Sequence, residues 1–205
     1  MTSAQRNKKK TNAAYSLLDQ VVVSGSRFAI SLLIVKAAGA EVLGSYGLTM
    51  SLVFLALVVQ QTIITTPFAN FRHRTDSATP GQYETLIWMT SIVVALFAGA
   101  SIGAIGLLFS LVATSIVEGG AELSMLGNAF CSAAIAVPAI LQVEFFRRIW
   151  LIKLQSKFAF ILDSSVWLST VGILFLAFLF QQLTMPLVFG VLGTVSFVAL
   201  LTCIV

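Results

Sequence analysis

Charge is scarce in this sequence. Asp, Glu, Lys and Arg make up only 10% of its 205 residues, against about 25% in a soluble domain. The single histidine, His73, has no cysteine or second histidine near it, which leaves no metal-ligand spacing. Cys131 and Cys203 are the only cysteines, and both fall inside apolar runs. That excludes a disulfide framework and a zinc site, and reads both as small packing residues. No Gly-rich loop with a following Lys and Ser/Thr is present, so no nucleotide site is expected.

What remains is apolar. Hydrophobic residues reach 58% and the mean hydropathy is +0.98, beyond what a soluble fold of this length can bury. Six uninterrupted runs approach the roughly 20 residues needed to cross hydrocarbon as a helix. They lie at 17–38, 43–66, 86–112, 122–145, 159–180 and 184–205, preceded by a basic segment at 1–16. The runs are long and continuous, whereas barrel strands alternate over about 10 residues. The expected fold is therefore all-α, a polytopic membrane protein built as a six-helix transmembrane bundle.

The cations orient it. Arg6, Lys8, Lys9 and Lys10 precede the first run, Arg72 and Arg74 follow the second, and Arg147, Arg148, Lys153 and Lys157 separate the fourth from the fifth. The alternate connections hold Lys36 with Glu41, Glu118 and Glu122. By the positive-inside rule the N-terminus is cytoplasmic. The net charge of +4 then belongs to loops beside anionic lipid, with no nucleic-acid partner implied. A basic start and an apolar run ending at Ala38-Gly39-Ala40 imitate a signal peptide, but polar groups from Asp19 to Ser31 break the apolar core of such a peptide. The segment is read as a span.

That span carries a polar stripe. At about 100° per residue, with Ser16 at zero, Arg27 falls at roughly 20°, Gln20 at roughly 40°, Ser31 at roughly 60°, Ser24 at roughly 80° and Asp19 at roughly −60°. A charge at the bilayer centre costs about 2.5 to 3.5 kcal/mol on insertion scales, so such residues turn inward. Two readings of Arg27 stand. It locks to Asp19 or a neighbouring helix, or it supplies positive charge to a cavity that receives an anion, for which its planar fork suits phosphate. Gln60 and Gln61, deep in the second run, either line the same cavity or bond helix to helix. Asp163 is either a coupling carboxylate or an interfacial one. Pro138 implies a kink in the fourth run. Gly99, Gly103 and Gly106 read as close packing in the third.

Two stretches carry a family likeness. Ser24-Gly25 stands in a polar-striped first helix, followed by Gly39, Glu41, Gly44, Tyr46, Leu48 and Ser51 across a short turn. Phe145, Phe146, Arg147 and Arg148 precede a basic loop and then Asp163. In these features the chain resembles polysaccharide and O-antigen flippases of the multidrug/oligosaccharidyl-lipid/polysaccharide exporter superfamily. The resemblance implies one lobe of a two-lobe flippase, in a bacterial cytoplasmic (inner) membrane. Its implied substrate is an undecaprenyl-pyrophosphate-linked oligosaccharide for polysaccharide biosynthesis, moved by alternating access. Arg27 would draw in the diphosphate, while Gln20, Ser24, Gln60 and Gln61 bond sugar hydroxyls. Such flippases have 12 or more spans, so a second six-helix lobe is an expected partner. An N-terminal lobe isolated by truncation is the preferred account of six, and a half-size protein requiring a partner is the other. A multidrug or cation exporter of the same superfamily and a non-transporting remnant are the alternatives. The short external connections argue against an enzyme, and neither cofactor nor metal is expected.

Overall fold

A computed structural model describes residues 3–71, 80–115 and 120–204, with side chains over 12–70, 83–115 and 120–202. Arg72, His73, Arg74, Glu118 and the Cys203 side chain lie outside the described residues. The described chain is helical throughout: α1 Ser3–Ala38, α2 Ala40–Gln60, a π-helical turn Gln61–Thr65, α3 Thr66–Phe71, α4 Pro80–Ser115, α5 Gly120–Ile152, α6 Ser156–Leu179 and α7 Met185–Ile204. Six helical stretches are long and apolar enough to cross a membrane. Each overlaps one of the six expected runs.

The helices outrun their apolar segments. The basic residues Arg6, Lys8, Lys9 and Lys10 are part of α1, which starts at Ser3. Arg147 and Arg148, counted above as loop cations, lie on the last turns of α5. Backbone hydrogen bonding favours continuing a helix once it is nucleated, whatever the polarity of the next residue.

The outer surface is greasy. Phe97 is 74% exposed, Ile135 85% and Phe28 65%, which water would penalise and lipid accepts. The interior centres on α5, which packs against α2, α4, α6 and α7. Half of its most apolar window is buried, compared with 17% for α1, so α5 is the axis of the bundle. Helix α1 leaves its sequence neighbour and lies chiefly on α6.

Small residues set the α4–α5 approach. A Cβ on Gly106 would sit 2.8 Å from the Cys131 backbone nitrogen, and one on Gly99 would sit 2.8 Å from the Ala134 carbonyl oxygen and 3.1 Å from Pro138 Cγ. Gly99 thus makes room for the ring of Pro138, which lies inside α5. The expectation of close packing at these glycines holds.

Two features of the chain position the polar residues. Pro67 has no N–H and its ring crowds the carbonyl four residues back. The backbone widens into the π-helical turn just before it, where the Thr66 hydroxyl donates to the Gln61 carbonyl at 3.0 Å. The α5–α6 turn reverses the chain in three residues. Leu154 adopts a positive φ of 57°, while the Gln155 N–H donates to the Trp150 carbonyl at 2.8 Å. That is the Schellman pattern, achieved without glycine.

The ends bearing the basic connections meet. Lys153 pairs with Glu84 of α4 at 3.1 Å, and Asn12 of α1 donates to the Leu154 carbonyl at 3.3 Å. The starts of α1 and α4 therefore share one end of the bundle with the α5–α6 turn.

Candidate functional site: a charged cavity between four helices

A cavity of about 460 Å³ opens between α1, α2, α5 and α6. Gln20, Ser24 and Arg27 face it from α1, Gln61 from α2's continuation, Glu144, Arg147 and Arg148 from α5, and Asp163 and Trp167 from α6. A small inner chamber of about 40 Å³ extends past Arg27, Glu144 and Asp163. The inward stripe of α1 therefore reaches a common space with charges from two other helices.

Arg147 is the hub. Its Nη2 lies 3.0 Å from Asp19 Oδ2, its Nε 2.5 Å from Asp163 Oδ2 and its Nη1 2.8 Å from Glu144 Oε1. Glu144 Oε1 also accepts Arg148 Nε at 3.0 Å. One guanidinium thus ties α1, α5 and α6 together, with Asp19 only 3% and Asp163 only 2% exposed. Asp163 is buried against Arg147. Asp19, expected on the substrate path, pairs with Arg147 rather than Arg27 and does not line the cavity. Eight residues along a helix separate Asp19 from Arg27 by about 12 Å, too far for contact.

Arg27 is held differently. Its Cζ lies 4.9 Å from the centroids of both the Phe54 and Trp167 rings. It makes no ion pair among the described residues, and its buried Nε has no hydrogen-bond partner. Rings on a guanidinium's faces leave its N–H edges free, which is the geometry that bidentate oxyanion binding uses.

The two glutamines part company. Gln60 is 2% exposed and donates to Ser91 Oγ of α4 at 2.9 Å, while Gln142 of α5 donates to the same oxygen at 3.0 Å. Gln60 is a helix-to-helix fastener outside the cavity, which corrects its assignment to the substrate path. Gln61, about 100° further round, faces the cavity. Ser31 donates to the Arg27 carbonyl of its own helix at 3.0 Å, and it does not line the cavity.

Sequence reasoning missed Arg147 as an interior group. Its ion-pair spacing within α5, Glu144 to Arg147 and Arg148, was the available signal. Its partners Asp19 and Asp163 come from other helices and leave no local trace. Among the described residues no three His, Cys, Asp or Glu side chains are grouped to hold a metal.

The fold and cavity define a class: a multi-pass α-helical membrane protein with a charged internal cavity. No protein family, characterised protein or solved structure matches the chain.

Proposed function

We propose that this chain is one lobe of a flippase that carries a lipid-linked oligosaccharide with a diphosphate head group across the bacterial cytoplasmic membrane. The observation that supports it most is Arg27 on the cavity wall, clamped by Phe54 and Trp167 and without a salt bridge among the described residues. Every carboxylate of the site is engaged by Arg147 or Arg148, whereas Arg27 makes no ion pair among the described residues. Gln20, Ser24 and Gln61 stand beside it to bond sugar hydroxyls. The basic end of the bundle faces the cytoplasm under the positive-inside rule. A second six-helix lobe covers the polar stripe, and rocking of one lobe against the other exposes the cavity to each side in turn. An ion or substrate gradient drives the cycle.

A second reading, export of cationic drugs, draws on Glu144 and Asp163 in the same wall. Their ion pairs count against it.

The test is glycan on the surface of the cells that make this protein, with ethidium efflux measured in parallel. Arg27→Ala is expected to abolish surface glycan and leave efflux unchanged, and Arg27→Lys to restore only part, because an ammonium lacks the planar fork. Normal glycan with Arg27→Ala refutes the flippase reading. Loss of efflux alone selects the cation exporter.

A further inference from the structure

The cavity does not stop at Arg27. A second hollow of about 240 Å³ runs beside the π-helical turn, α3 and the last turns of α5. Gln61 and Arg148 line both spaces, so the two adjoin. Thr65 and Thr66 add hydroxyls on one side of the smaller hollow.

Hydrogen-bond accounting shows what this hollow offers. Arg148 gives its Nε to Glu144 at 3.0 Å. Its two Nη groups carry four further N–H donors, and they have no acceptor among the described residues. The Gln61 amide and the Thr65 hydroxyl likewise have no partner there, whereas the Thr66 hydroxyl is spent on the Gln61 carbonyl. Thr65 is nevertheless 94% buried, with 6% of its surface exposed. Gln61 and Thr65 stand four residues apart, at the two ends of the π-helical turn, and so share one side of the helix. Among the described residues no acid lines this hollow: Glu144 takes the Nε edge of Arg148 from the side of Arg147, and Asp163 lies against Arg147. Free donors converge here, and their natural complement is an oxyanion.

We propose that Arg148, Gln61 and Thr65 form a second oxyanion subsite, for a phosphate or diphosphate ester, set between Arg27 and the basic end of the bundle. An anionic head group moving from that end meets Arg148 first and Arg27 next. The relay role rests on the transport reading, but binding does not.

The test uses the full chain in nanodiscs of phosphatidylcholine, which carry no anionic lipid, titrated calorimetrically with inorganic pyrophosphate and separately with farnesyl diphosphate. Arg148→Gln is expected to weaken both by tenfold or more, and Arg148→Lys to recover part of the loss. Glu144 keeps its bond to Arg147 at 2.8 Å in that variant, so no acid is stranded. Gln61→Leu combined with Thr65→Val lies outside the ion network and is expected to weaken binding several-fold, which keeps the test decisive should Arg148→Gln misfold. Tighter binding of farnesyl diphosphate than of pyrophosphate supports the subsite with a lipid head group as its source, and equal binding supports it with a soluble anion. Wild-type affinity in both Arg148→Gln and the double variant overturns the subsite, as does a wild-type chain that binds neither probe. The flippase reading fails separately, when Arg27→Ala leaves surface glycan intact.

Discussion

Replacing Arg147 with methionine removes the guanidinium that three carboxylates share while keeping a side chain of similar length. Glu144 retains Arg148 at 3.0 Å. Asp19 and Asp163 retain no cation, and both are almost fully buried. Removing one partner of a buried ion pair costs about 3 to 5 kcal/mol, because the stranded charge is harder to bury than the pair. Two such acids depend on one group, so their losses do not add, and the expected total sits near the upper end of that range. The neutral alternative is different. A helix-to-helix hydrogen bond in a membrane averages about 0.6 kcal/mol, so a loss of that size would mean that the ion network contributes little. The assay is reversible unfolding in mixed micelles with increasing dodecyl sulfate, followed by circular dichroism. Adding Asp19→Asn and Asp163→Asn to Arg147→Met removes the stranded charges and is expected to recover at least half of the loss. An Arg147→Met protein within about 1 kcal/mol of wild type, or a triple variant no more stable than the single, refutes the hub.

Three further outcomes are expected. Gly106→Ala forces a Cβ to within 2.9 Å of the Gly127 carbonyl oxygen and should destabilise by about 1 to 3 kcal/mol in the same unfolding assay, whereas Gly25→Ala, with nothing within 4 Å, should cost nothing. Gln60→Leu should lower stability by about 1 kcal/mol and spare pyrophosphate binding, while Gln61→Leu should do the reverse. Glu144→Gln removes a negative charge beside Arg148 and keeps an acceptor, so calorimetry should show pyrophosphate bound several-fold more tightly, with the gain shrinking in high salt.

Much of the bundle was legible in the sequence because lipid imposes a simple rule. A helix must stay apolar for about 20 residues, and six runs did so. The glycines of α4 were readable for a similar reason, since small residues let membrane helices approach closely. The stripe of Gln20, Ser24 and Arg27 was readable because one helix period sets it. What failed was anything depending on how helices are turned against each other. Gln60 and Gln61 are adjacent letters, yet one faces α4 and the other a cavity. Arg147 was hidden by the rule that worked elsewhere: loop counting assigns basic residues near a span's end to water, but α5 continues for two turns beyond its apolar run. Asp19 and Arg147 are 128 positions apart, and nothing local announces their pairing.

Charge placement separates scaffold from site in this bundle. Three carboxylates and three guanidiniums meet around one cavity, and the acids are apportioned to only two of the arginines. A cation deep in a span costs about 2.5 to 3.5 kcal/mol. Arg147 offsets this with three ion pairs, as a structural group would. Arg27 has two aromatic faces instead, each contributing about 0.5 to 2 kcal/mol from exposed to desolvated positions, a total of the same order as the insertion cost. Its N–H edges stay open to water in the cavity or to an anion. Had Arg27 served only to hold α1 in place, Asp19's position one turn later would have supplied a partner more cheaply. Arg27 shares a chamber with Glu144 and Asp163 without a salt bridge to either, and that leaves its N–H edges available to a ligand.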